Sequence, residues 1–331
     1  MNPLYVVTCV YNPRRFKSRP KLYTDFAKWV ADAGSKLITV EIAFGERPFV
    51  VTEFGNPYHL QLRTSTEIWH KERALNLGVH HLSRLHPDWK YFCYLDCDVK
   101  IMRDGWPDET VHLLQHYAIL QMFGEIQTLD PSHHILYGGR SLARNWHETG
   151  HFTLKPDKED SCNEATFKGG DSYNEATFKL NKSLPGWPGL GWAYRRPEFE
   201  KIGGLFDVAV TGSGDTHMAG AYCGRYDWGI RTGMSPGFKR SLERYAELCE
   251  KYVRKNVSYV PGLLIHYWHG NAKQRGYDKR NDAVVEHLFD PHEDLVIDAQ
   301  GLYTWAAHKW DLERALRRSM EARNEDSIDV L

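Results

Sequence analysis

Apolar positions along this chain recur with two periods, and the switches between them outline an α/β protein. Leu4 to Val10 is a β-branched run that predicts a strand. A helical stripe follows, formed by Leu22, Phe26, Trp29, Val30 and Ala33; it places a helix over Lys21 to Ala33, with Gly34 as its stop. Leu37 to Ile42 predicts a second strand, so the chain opens strand–helix–strand, as a parallel sheet requires. Phe49 to Phe54 and His59 to Leu62 predict short strands. Thr64-Ser65-Thr66-Glu67 has the form of a capping box, and Ile68, Leu75, Val79 and Leu82 continue on one helical face. That helix leads into the apolar run Tyr91 to Leu95, read as a buried strand, and Ala118 to Phe123 predicts another.

Periodicity then lapses across residues 128–186, which are rich in Gly, Pro, Ser and Asn. Within them Asn163-Glu164-Ala165-Thr166-Phe167-Lys168 recurs intact as residues 174–179. One short duplication is too little for a solenoid, and the stretch reads as a long functional loop or an insertion. Regular patterning resumes with helices near Pro197 to Ile202, over 215–222 and across Phe238 to Lys255, then a strand at Leu263 to Tyr267. The remainder, 275–323, reads as mainly helical.

Composition narrows the partners. Of the 331 residues 42% are hydrophobic and 26% charged, ordinary values for a globular protein able to bury its own core. The formal net charge of −1 supplies no global field to recruit nucleic acid or an anionic membrane. Aromatic residues reach 13%, with 11 Trp and 18 Tyr, which suits flat sugar rings or nucleobases and equally suits a large core. The six Cys residues lack zinc spacing and read as free thiols. With no signal-peptide pattern and no apolar run of membrane-spanning length, the expected location is the cytoplasm, with no membrane partner. No G-x-G-x-x-G follows the first strand, and neither G-x-x-x-x-G-K-[ST] nor G-x-S-x-G is present. A dinucleotide oxidoreductase, a P-loop NTPase and a serine hydrolase lose their signatures.

Candidate chemistry gathers at strand ends. Asp96 and Asp98 flank one residue at the end of the 91–95 strand, so an extended chain points both to one side. Open α/β sheets bind ligands at that edge, and hard oxygen ligands there suit Mg²⁺ or Mn²⁺ and, through it, a diphosphate. Two solvated acids closing a strand would read the same way. Arg73 and Asn76 share a helical face that could steady a phosphate, a ribose or Asp96, or could simply be solvated. Glycines around Trp187 and Trp192 allow close approach of a flat ligand. Asp215 follows a Gly/Ser turn and opens a predicted helix, where it could act as a general base, as a helix cap, or as both. His266 ends an apolar strand and could complete a carboxylate-rich metal site or serve as a structural histidine. Lys273 and Arg275 follow in a loop, placed to neutralise a diphosphate.

Taken together these segments resemble the GT-A fold glycosyltransferases. Tyr94-Leu95-Asp96-Cys97-Asp98-Val99 stands where that family has its D-x-D motif, and Lys71 to Asn76 resembles the helix bearing a basic residue and Asn. Gly191-Trp192-Ala193-Tyr194-Arg195-Arg196 through Gly203-Gly204-Leu205-Phe206-Asp207 resembles the stretch before the acceptor-side acid, and His266-Tyr267-Trp268-His269-Gly270 the C-terminal His motif. The usual pair of acids is reduced to Asp215 followed by Thr216.

The resemblance implies a Rossmann-like mixed sheet flanked by helices, with a mainly helical C-terminal extension. Residues 1–125 would form the nucleotide-sugar half, 126–270 the acceptor half and 271–331 the extension. It implies a metal-dependent transfer of sugar from a UDP-sugar to an acceptor hydroxyl, with inversion and Asp215 as base. Asp98, His266 and Asp96 would hold Mn²⁺ or Mg²⁺; Cys9, Tyr11, Glu41, Lys71, Arg73, Asn76, Asp96, Lys273 and Arg275 would meet the donor. Trp187, Gly191, Trp192, Arg195 and His269 would meet the acceptor, a glycan or small molecule. A narrower likeness, to a set of phage-encoded glycosyltransferases, offers hydroxymethylated DNA bases as acceptor, contacted by Trp187, Trp192, Arg195 and Arg196, in host cytoplasm. A sugar- or nucleotide-binding module without turnover is the third reading.

Overall fold

The computed structural model describes residues 2–149, 186–276 and 281–330. Cys162 and the 163–168/174–179 duplication lie outside the described residues. In chain order the first part contains β1 (Leu4–Tyr11), α1 (Ser18–Asp32), β2 (Lys36–Phe44), β3 (His59–Thr64), α2 (Lys71–Leu85), β4 (Tyr91–Leu95), β5 (Val99–Ile101), α3 (Trp106–Leu113), β6 (Ile119–Gln121), β7 (Glu125–Leu129), β8 (Ile135–Arg140) and α4 (Leu142–Thr149). The second contains β9 (Gly191–Arg195), α5 (Arg196–Lys201), α6 (Gly214–Tyr222), α7 (Pro236–Tyr252), β10 (Val257–Tyr259) and β11 (Leu263–His266). The last contains α8 (Asp282–Glu286), α9 (Pro291–Asp294), β12 (Leu295–Ile297), β13 (Tyr303–Trp305) and α10 (Trp310–Ala322).

The architecture is mixed α/β around a seven-stranded sheet of order β10-β6-β9-β4-β1-β2-β3. β3, β2, β1 and β4 run parallel, and β9 runs antiparallel between β4 and β6. From β1 the chain moves outward through β2 to β3, then returns to place β4 on the other side of β1. That reversal opens a crevice at the carboxyl ends of β1 and β4, where open α/β sheets receive ligands. A second sheet, β5-β11-β7-β8, begins directly beyond the end of β4.

Alternation along β1 divides the core. Leu4, Val6 and Val10 pack on one face with Phe26, Val30 and Trp106, whereas Tyr5 and Val7 pack on the other with Leu75, Val79 and Phe238. With helices on both faces, β4 is apolar throughout, as its unbroken Tyr91-Phe92-Cys93-Tyr94-Leu95 run requires. Among the described residues no helix is long and apolar enough to cross a membrane.

Four expectations change. Residues 49–54 form no strand: the Glu41 carboxylate accepts the backbone N–H groups of Val50 (2.6 Å), Val51 (3.1 Å) and Thr52 (2.8 Å), which a strand would commit to a ladder. The Thr64–Glu67 capping box does not cap, because Thr64 still belongs to β3 and α2 starts only at Lys71. Part of the aperiodic 128–186 stretch is ordered as β7, β8 and α4. The C-terminal part combines its helices with a hairpin, β12 and β13, whose turn is closed by Asp298 Oδ1 accepting from Gln300 N and Leu302 N, both at 2.9 Å.

Candidate active site

A cleft of about 320 Å³ sits at the crevice, within the range of small-molecule sites. Cys9, Tyr11, Lys71, Asp96, Asp98 and Asp215 line it, so residues from the ends of β1 and β4 face residues from the starts of α2 and α6.

Strand pairing explains how Asp98 meets its histidines. Val99 of β5 pairs with His266 of antiparallel β11, and Tyr267 N donates to Asp98 O at 2.8 Å. Three residues after His266 the chain brings His269 beside it, just before a turn at Gly270 (φ +92°). The two Nε2 atoms lie 3.0 Å apart, with Asp98 Oδ1 3.8 Å from His266 Nε2 and Asp98 Oδ2 3.3 Å from His269 Nε2. Burial holds both imidazoles neutral, His266 at about 4 despite the opposing pull of Asp98, and His269 well below 6.5 with Arg275 and Arg19 reinforcing the effect. Asp98 Oδ1 is buried and receives no hydrogen bond from any described residue. One carboxylate and two neutral imidazoles with lone pairs inside one small space form a ligand set that fits a divalent cation.

Asp96 goes elsewhere. Its Oδ1 pairs with Lys71 Nζ at 2.5 Å, and it stands apart from the three-residue ligand group. Burial works against the Lys71 ammonium, but Asp96, Glu72 and Asp215 raise its pKa on balance. Glu72 is 4% exposed, and burial lifts its carboxyl to about 7, with Lys71 lowering and Asp215 raising it. A Cβ on Gly214 would lie 2.6 Å from Glu72 Cδ, so Gly214 lets α6 start directly over that carboxyl. Similarly, a Cβ on Gly189 would collide with the Asp215 carboxylate. Also lining the cleft, Tyr137 and Trp187 stack with ring centres 5.9 Å apart and planes 10° from parallel. Gly139 beside them leaves room for the Trp187 indole, whose Nε1 would stand 2.7 Å from an added Cβ.

The structure gathers Cys9, Tyr11, Lys71, Asp96, Asp98, Trp187, Asp215, His266, His269 and Arg275 around the cleft and removes the other expected site residues from it. His269 belongs to the Asp98 ligand group rather than to an acceptor wall. Asp96 is committed to Lys71 rather than to the metal group. Glu41 is consumed by the 50–52 backbone. Arg73 and Asn76 form a structural clamp instead of a donor contact: Arg73 NH1 (3.2 Å), Asn76 Nδ2 (3.0 Å) and Tyr303 OH (3.0 Å) all donate to Asp207. Asn76 also pairs with the backbone of Leu205 in both directions, at 3.0 and 2.8 Å. Lys273 is exposed and outside the cleft. Trp192 is fully buried with Nε1 donating to Pro188 O at 2.8 Å, and Gly191 packs against Leu95 within the sheet. Arg195 pairs with Tyr91 in the β-ladder, at the amino end of β4 and so at the edge opposite the cleft, and its guanidinium is held by Glu198. Arg196 is likewise held by Glu200 at 2.7 Å. The basic and aromatic set expected on DNA is therefore tied up in structure, apart from Trp187.

Several residues of the cleft stand outside the expected set. Arg14, Arg19, Glu72, Arg323 and Glu325 all line it. Glu72 adjoins Lys71 and could have been found from the acidic–basic pair opening α2; the others depend on contacts between distant parts of the chain.

No family model and no curated protein matches the chain. Among solved structures it is similar to the catalytic domain of Drosophila beta1,4galactosyltransferase 7 in complex with xylobiose, at 10% identity over 93% of this chain and 96% of that one, with a TM-score of 0.36. A protein from Desulfovibrio desulfuricans named as a nucleotide-diphospho-sugar transferase matches at 10% identity over 87% of this chain and 99% of its own, TM-score 0.32. Mannose-1-phosphate geranyltransferase from Thermus thermophilus matches at 14% identity over 80% and 74%, TM-score 0.30. These likenesses are too distant to carry function, which the residues of the cleft must supply.

Proposed function

We propose that the protein is a metal-dependent glycosyltransferase that moves a sugar from a nucleoside diphosphate, UDP in the simplest case, to an acceptor hydroxyl. What supports the reading most is one arrangement: the Asp98–His266–His269 ligand group and the Asp215 carboxylate line the same cleft. Two imidazoles favour Mn²⁺ over Mg²⁺, which prefers oxygen. A bound cation there would neutralise charge on the departing diphosphate.

The chain's own residues do the rest. Arg275 stands beside the ligand group, with NH1 3.0 Å from His269 Nε2, where it would share the phosphate charge. Lys71 holds Asp96 in place to accept from a ribose hydroxyl. Cys9 and Tyr11 wall the nucleobase end, Tyr11 being fixed by its OH donating to Thr66 O at 2.8 Å. The stacked Tyr137–Trp187 pair would offer the acceptor a flat face in the cleft that Asp215 also lines. The acceptor oxygen would give its proton to the Asp215 carboxylate while attacking the anomeric carbon from the face opposite the diphosphate. The old carbon–oxygen bond breaks with its electron pair leaving on the diphosphate, and the anomeric configuration inverts.

Thermal-shift titration with UDP and a panel of UDP-sugars, with and without MnCl₂, tests the donor side. A stabilisation by nucleotide that needs Mn²⁺ is expected, followed by Mn²⁺-dependent release of UDP. Absence of any nucleotide shift across the panel in both conditions would overturn the reading. Mass gain on hydroxymethylated DNA would instead identify that acceptor.

A further inference from the structure

Arg19 opens α1 and reaches three groups at once. Its NH1 donates to Asp98 Oδ2 at 2.9 Å, its NH2 stands 3.0 Å from His269 Nδ1, and its Nε pairs with Glu325. We infer that Arg19 is a tethered competitor of the divalent cation: its guanidinium is shared between Asp98 and Glu325, and cation binding moves it toward Glu325. The inference rests on the metal reading of Asp98, His266 and His269.

Hydrogen-bond counting supports it. A guanidinium only donates, and an imidazole offers at most one lone pair in any protonation state. Yet His269 has Arg19 NH2 at Nδ1 and Arg275 NH1 at Nε2, each at 3.0 Å. One lone pair cannot serve both, so the arrangement around His269 has more donors than acceptors. Asp98 meanwhile keeps one oxygen unmet. A cation would compete with the guanidinium groups for the few lone pairs of this group and repel the guanidinium that now occupies Asp98 Oδ2.

The alternative anchor is built for the purpose. Glu325 is 3% exposed and already accepts from Arg323 Nε at 2.6 Å. It lies in the segment after α10, which is strapped to both neighbours of the site. Asp326 accepts from Lys17 N and Ser18 N at 2.8 Å each, and Trp268 Nε1 donates to Ser327 O at 2.6 Å. Gly270 admits the strap, since a Cβ there would stand 2.8 Å from Asn324 O and from Glu325 Cα. The C-terminal segment thus acts on the ligand group through Arg19, with Glu325 as a positioning residue.

The two anchors give opposite predictions. Mn²⁺ affinity is measured by calorimetry on the EDTA-treated full chain, with folding checked by circular dichroism. Arg19→Gln removes the competitor and should bind Mn²⁺ about fivefold tighter or more, the lower range of typical coupling between sites. Glu325→Gln leaves Arg19 on Asp98 and should bind it correspondingly more weakly. Arg19→Lys keeps the charge but loses the fork spanning Asp98 and His269, and should fall between wild type and Arg19→Gln; it decides the matter should Arg19→Gln not fold. Equal or weaker binding by the Arg19 variants, or equal or tighter binding by Glu325→Gln, overturns the inference while wild-type binding leaves the metal reading intact. A wild type that binds no Mn²⁺ beside an Arg19→Gln that does upholds the competition. If neither binds, the inference and the metal reading fall together.

Discussion

The strap makes a measurable claim on stability through Glu325. Burial works against its carboxylate, yet Arg19 and Arg323 pull its pKa down to about 2 from 4.5. At 1.36 kcal/mol per pH unit that drop corresponds to roughly 3 kcal/mol favouring the folded state at neutral pH, similar to the ~3–5 kcal/mol for breaking a buried pair. Because the folded pKa is depressed, the contribution is complete above about pH 4.5 and is lost as pH falls through 2. Glu325→Gln should therefore unfold at lower urea concentration than wild type, with a gap of about 3 kcal/mol at pH 7 that is roughly halved at pH 3. The assay is a pair of urea curves at each pH, read by far-ultraviolet circular dichroism and tryptophan fluorescence so that transitions can be compared. A gap below about 1 kcal/mol at pH 7, or one unchanged at pH 3, would refute the claim that Arg19 and Arg323 hold a buried, ionised Glu325.

Other perturbations separate scaffold from chemistry. Glu72 is raised from 4.5 to about 7, so the folded protein binds an extra proton between those values and loses stability as pH rises through them. Glu72→Gln should therefore unfold later than wild type at pH 8 and not at pH 4, which paired urea curves would check. Asp215→Asn should lower sugar transfer by about 10²–10⁴-fold while leaving Mn²⁺-dependent nucleotide binding in place; binding lost in parallel would assign Asp215 to the donor side. Gly189→Ala should lower transfer by displacing that carboxylate, with unchanged urea stability. Asp207→Ala removes the acceptor that Arg73, Asn76 and Tyr303 share and should cost about 2–4 kcal/mol of stability with little change in nucleotide affinity per folded molecule, the reverse of a donor-site variant.

Much of the frame was legible locally. The apolar runs of β1, β2 and β4 and the stripes of α1 and α2 set strand and helix periods that neighbouring residues impose on one another, and these suffice for a parallel α/β core. Asp96, Asp98, Asp215 and His266 stood out because each closes or opens such an element, and element ends are where a sheet exposes polar groups. Local pattern misled where a side chain replaced a ladder, as Glu41 does for residues 50–52, and where a polar helix face met protein instead of solvent or ligand, as Arg73 and Asn76 do with Asp207.

Sequence alone thus determined the class of the fold, the edge of the sheet at which the candidate residues gather and the acids placed there. Tertiary structure decided their partners: Lys71 for Asp96, His266 and His269 for Asp98, Glu72 for the start of α6. It also brought Glu325 onto Arg19 across 306 positions of chain. The physical reason is range. A period of two or 3.6 residues is written in adjacent side chains, whereas a contact between distant segments exists only after sheet pairing and core burial have fixed both, and no short stretch of residues records it.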